Sequence, residues 1–150
     1  MLAALSRCEP NIDDRDIEFI DTAEVRRLTV SAETNPKALL LIDPRSHSAF
    51  AQGHLPKARN IELADLERDG GRKKWIEAFS EIVVYGNDPG SAVARAVTKR
   101  LLHLRYSDVR MYQGGVMEWT KAGFPLETGE EAGSDPVEAS PAAEPPKTPQ

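Results

Sequence analysis

Two apolar runs without alternation constrain this chain more than any other feature. "ALLLID" (residues 38–43) and "IVVY" (residues 82–85) place large aliphatic or aromatic side chains at consecutive positions. Successive side chains of a strand point to opposite faces, so such a run needs cover on both faces. That requirement describes central strands of a mostly parallel sheet flanked by helices. The segments between residues 18 and 126 supply the helices, alternating helical periodicity with short apolar runs in the manner of βα units. The fold class is α/β.

Further elements follow in order. "IEFI" (residues 17–20) is a short first strand, and Asp21 with Glu24 three residues later makes a capping-box-like helix start that presents Val25 and Leu28. Residues 29–37, which include Pro36, read as a polar loop. A short helix over residues 46–51 leads into a turn marked by Gly53 and Pro56, then a brief strand over residues 58–61. Trp75, Ile76 and Phe79 have the spacing of a second short helix. After "IVVY", a helix carries Val93, Val97, Leu101 and Leu104 on one stripe. "DVRMY" (residues 108–112) is another strand, and a glycine-bracketed helix containing Trp119 ends before Pro125.

Composition bounds the function. At 150 residues, 40% of them apolar, the chain suits one domain with a single core. A formal charge of −5 argues against general affinity for nucleic acid. No run approaches the ~20 apolar residues of a membrane helix, and the N-terminal "MLAALSRCEP" is interrupted before it reaches the length of an export signal, so a cytoplasmic protein is expected. Cys8 is the single cysteine, which excludes an internal disulfide and any multi-cysteine metal site. Residues 1–16 read as an N-terminal arm and 17–127 as the folded domain. Residues 128–150, rich in Pro, Ala and Glu, read as a disordered tail.

The chemistry turns on the loop after "IVVY". A strand, tight loop and helix form a common setting for a nucleophile at the strand's carboxyl end, and the residue there is Gly86. Asn87, Asp88, Pro89 and Gly90 complete the loop, and Ser91 reads as the N-cap of the following helix rather than as a nucleophile. Asp43 and Arg45, just beyond a strand end, can form a short charge pair that braces neighbouring loops. His54 can hydrogen-bond across the Gly53–Pro56 turn. No cluster has metal-ligand spacing, and no cofactor is expected.

Two segments carry a family resemblance. "LLIDPRSHSAFAQGHLPKARNI" and "MYQGGVMEWTKAGFPLE" resemble the rhodanese-like domain family: a strand ending in Asp-x-Arg, then Phe, Gly-His-hydrophobic-Pro and Ala-x-Asn-hydrophobic, and later paired glycines, a helical Trp and Ala-Gly-aromatic-Pro. Departures are Pro44 inside Asp-x-Arg, Ala49 before Phe50, and Lys57 after Pro56 where glycine is frequent. The resemblance implies a single rhodanese-like domain spanning residues 17–127. It also implies sulfur transfer through a cysteine persulfide at the position Gly86 occupies, with amide donors of the loop cradling an anion. Without that thiol, the expected role is a catalytically inactive module that binds a partner protein or a small anion. The alternative is a sulfurtransferase that uses Cys8 or a partner protein's cysteine. The resemblance makes Arg95 a further supporting residue, able to reach Asp43 or the loop carbonyls. Phosphatases that share the fold also require the loop cysteine.

Overall fold

The computed structural model describes residues 10–68 and 71–129. Its five strands, β1 (Glu18–Ile20), β2 (Leu39–Asp43), β3 (Arg59–Asn60), β4 (Glu81–Tyr85) and β5 (Val109–Tyr112), form one sheet in the order β1-β5-β4-β2-β3. Every neighbouring pair is parallel. The two apolar runs lie side by side in register, Leu40 opposite Ile82 and Ile42 opposite Val84. Their residues divide between two cores as strand geometry requires. Leu40, Ile42, Ile82 and Val84 face one core, and Leu39, Leu41, Val83 and Tyr85 face the other.

Helices cover both faces. Leu66 of α3 (Leu63–Glu67), Ile76 of α4 (Lys74–Glu77) and Ala94, Val97 and Leu101 of α5 (Ala92–His103) fill the first core. Val25, Leu28 and Ala32 of α1 (Thr22–Thr34), Phe50 of α2 (His47–Gln52) and Trp119 of α6 (Gly115–Lys121) fill the second. The α/β class and parallel sheet are therefore as the sequence indicates.

Four details differ from the sequence reading, the first being that Phe79 lies beyond the end of α4, which carries Trp75 and Ile76 but stops at Glu77 with Ala78 as its C-cap. The segment after Leu28 is not a loop but the second half of α1, because Ala32 continues the buried face of Val25 and Leu28; the helix stops at Thr34, before the extended Asn35 that precedes Pro36. On α5 the buried stripe is Ala94, Val97, Thr98 and Leu101, while Val93 is exposed. Helix α3 was not evident from the sequence, since a single buried residue, Leu66, leaves no periodic signal.

The N-terminal arm contributes a 3₁₀ turn (Asp14–Asp16), and Cys8 lies outside the described residues. Of the expected tail, Thr128 and Gly129 are described, the Gly129 N–H donating to the Ala51 carbonyl at 2.9 Å, and residues 130–150 lie outside. Among the described residues no helix is long and apolar enough to cross a membrane.

Candidate functional site

The carboxyl ends of β2 and β4 are adjacent, which brings Asp43, Arg45 and the loop after Tyr85 together. Asp43 is fully buried, and Arg45 meets it at two points: Nε to Oδ1 at 2.9 Å and Nη2 to Oδ2 at 2.6 Å. Nη2 also donates to the Gly53 carbonyl at 2.7 Å, so the charge pair braces the turn after α2. Two further residues complete this buried network. Asn60 Nδ2 donates to the carbonyls of Asp43 and Arg45 at 2.9 and 2.7 Å. The Tyr85 hydroxyl accepts the Leu55 N–H at 3.1 Å; burial first, and then the nearby Asp43 carboxylate, push its phenol well above the ordinary tyrosine range. The sequence does not reveal either partner, because Tyr85 lies within an apolar strand and Asn60 binds across 15 to 17 positions.

Beyond Tyr85 the loop is folded onto itself. Gly86 is buried at the end of β4, and a Cβ built there would overlap both Oγ and Cβ of Ser91, with the Ala94 Cβ at 3.3 Å. The serine side chain fills the space a residue at position 86 would use. Ser91 also caps α5, its Oγ accepting the Ala94 N–H at 3.4 Å. Two of the loop's amides are engaged within it: Asp88 Oδ1 accepts the Gly90 N–H at 2.9 Å and the Asp88 carbonyl accepts the Ser91 N–H at 3.2 Å, while Pro89 has no N–H to offer. An incoming anion would compete with the Asp88 carboxylate for the Gly90 N–H and with the Asp88 carbonyl for the Ser91 N–H.

The other side of the loop is held by α6. The Gly86 and Asn87 carbonyls accept the Val116 and Met117 N–H groups at 3.0 and 2.9 Å, satisfying the open amino end of that helix. Gly115 makes this approach possible. Its φ is +63°, and a Cβ there would come within 2.6 Å of the Gly86 carbonyl oxygen.

Arg95 is placed away from this network. Its Nη1 meets Asp14 Oδ2 at 3.0 Å while Lys99 Nζ meets Oδ1 at 2.7 Å, so both residues fasten α5 to the N-terminal turn. His54 is buried and stacked on Phe50, with Nδ1 donating to the Phe50 carbonyl at 2.9 Å. Its backbone exchanges two hydrogen bonds with Glu127, each of 2.9 Å, which closes the domain's C-terminal segment over the turn. Among the described residues no group of three His, Cys, Asp or Glu side chains is arranged to hold a metal ion.

Residues 27–122 match the Rhodanese-like domain family. The chain belongs to that family. A curated relative of this rhodanese-like chain is the HTH-type transcriptional regulator Rv0324 of Mycobacterium tuberculosis, 29% identical over 116 residues, which are 77% of this chain and 47% of that protein. The chain thus spans about half the length of the relative. Among solved structures, the BH2092 protein of Bacillus halodurans is similar at a TM-score of 0.62 with 20% identity, over 79% of this chain and 82% of that one. A thiosulfate sulfurtransferase from Pseudomonas aeruginosa is similar at 0.56 with 21% identity, over 77% of this chain and 21% of that one. These two likenesses establish the rhodanese-like fold alone.

Proposed function

We propose that this rhodanese-like domain is a non-catalytic module that binds a partner protein. The observation that carries the reading is the Ser91 side chain standing in the space next to Gly86, which leaves no room for a reactive group at the strand end. Persulfide chemistry needs a thiolate in an open, donor-rich pocket. Here the position has no side chain, its space is filled, and Asp88 occupies loop amides that would hold an anion. Of the two ligand classes the sequence leaves open, a small anion is disfavoured by that self-occupation. A protein partner is favoured, and kinship with a protein named as a transcriptional regulator is in keeping with regulatory rather than metabolic work.

The reading is tested by placing a thiol at position 86 in a Cys8→Ser background. Gly86→Cys alone is expected to be destabilised by overpacking, by roughly 1–3 kcal/mol or enough to prevent folding. Gly86→Cys combined with Ser91→Gly should recover stability and react with a thiol probe faster than any folded single variant. If the single variant is as stable as the parent and as reactive as the double, the space is open and the reading fails.

A further inference from the structure

Beside the closed loop, the carboxyl ends of β1 and β5 border an open groove of about 460 Å³ whose lining includes Phe19, Asp21, Thr22, Pro89, Tyr112 and Glu118. We propose that this groove docks an extended basic segment of a partner protein, its Lys or Arg side chain between Asp21 and Glu118 and a neighbouring apolar side chain on Phe19 and Pro89. The proposal rests on the partner-binding reading and names the surface and the partner's chemistry.

Charge is the first argument. The groove's described lining has two carboxylates and no Lys, Arg or His. Burial pushes the Tyr112 phenol above the ordinary range, and Glu118 and Asp21 push it the same way, so their negative potential reaches the groove. Asp21 uses Oδ1 to cap α1, bonding the Glu24 N–H at 2.9 Å, and so is fixed in place. Glu118 has a loose pairing at 3.8 Å with the largely exposed Lys121, which a better-placed cation can replace. A chain of net charge −5 also attracts a basic partner over longer range.

Shape and apolar exposure supply the second argument. Phe19 is 39% exposed and Met117, next to Glu118, is 49% exposed, both large apolar residues near the same sheet end. The lining includes Phe19 and Ile20 of β1, which among the described residues ends the sheet with β5 as its one strand neighbour. The outer edge of such a strand is a template for an added extended segment. Tyr112 and Thr22 hydroxyls joined at 2.7 Å stiffen the lining. The chain's own C-terminal segment does not suit the groove, because residues 130–150 carry five acidic side chains against one lysine.

The test uses the purified full chain and fluorescence anisotropy. The probe is a labelled nonapeptide pool with Arg fixed at the centre, Leu fixed nearby and neutral residues elsewhere; the control pool has Glu in place of Arg. Saturable binding of the Arg pool is expected, weakened by salt and absent for the Glu pool. Asp21→Asn, which keeps a helix-capping side chain, and Glu118→Gln should each weaken binding about fivefold, the size of one exposed ion pair. Phe19→Ser should weaken it as well, while Glu67→Gln on α3 should not. No preference for the Arg pool, or equal binding by the groove variants, overturns the proposal. In the second case partner binding itself stands and its surface lies elsewhere, whereas loss of the non-catalytic reading would show as sulfur transfer. Concentration-dependent dimerisation that Phe19→Ser abolishes would also overturn it, by assigning the groove to a second copy of the chain.

Discussion

Ser91 acts at two points of the same loop: its hydroxyl caps α5 and its side-chain atoms occupy the space beside Gly86. The capping role is legible from sequence, because a serine before a helix has one obvious use. The filling role is not, since it depends on how the four intervening positions fold back. Asp43 and Arg45 were legible for a similar local reason, being two residues apart at a strand end. Arg95 pairs with Asp14, 81 positions away, and local spacing carries no trace of that. The charge pair gives a direct prediction. Arg45→Ala leaves the fully buried Asp43 without its cation, and chemical denaturation should show a loss of about 3–5 kcal/mol. Lys57 gives the opposite sign. It stands where glycine is frequent in the family, and its φ of 61° shows why: the turn after Pro56 requires a left-handed residue. That conformation costs a side-chain-bearing residue roughly 1–2 kcal/mol, partly offset by glycine's greater chain entropy, so Lys57→Gly should raise the urea midpoint.

At the scale of elements, the sequence located every strand, and the errors fell where amphipathic stripes are weak. Helix α1 outran its expected end because one alanine, Ala32, carries the last buried turn, and Val93 lost its assigned place because Ala94 packs instead. Trp119 was legible as core, and it is fully buried, its Nε1–H donating to the Pro125 carbonyl at 3.0 Å and its ring 4.8 Å from Phe124. Trp119→Ala should therefore release both α6 and the segment behind it, at a cost of about 3–5 kcal/mol by urea denaturation. Helix α1 is also tied to the sheet by charge. Glu24 meets Arg27 at 2.7 Å and Arg110 of β5 at 3.5 Å, and Arg110 also engages Glu81 of β4. Arg27, and then Arg110, against the opposing effect of burial, hold the Glu24 carboxyl at about 2 rather than 4.5. A depressed acid stabilises the fold above its unfolded pKa and ceases to do so as pH falls through its folded one. Stability should decline between about pH 4.5 and pH 2, and Glu24→Gln should flatten that decline in acid-denaturation curves.

For the molecule as a whole, fold and chemistry were legible to different degrees. Two uninterrupted apolar strands force a two-sided parallel sheet, and the same two strands deliver Asp43 and Gly86 to one end of it. What the loop does there depends on tertiary contacts: α6 donating to its carbonyls, Asp88 accepting from its amides, and Ser91 filling its floor. A fold can persist after its site has closed, because the core and the site draw on different residues. The most direct test is steady-state sulfur transfer from thiosulfate to cyanide by the purified chain. The account predicts a rate equal to the protein-free blank, unchanged in Cys8→Ser. Saturable turnover would contradict it, and turnover abolished by Cys8→Ser would assign the chemistry to the N-terminal cysteine.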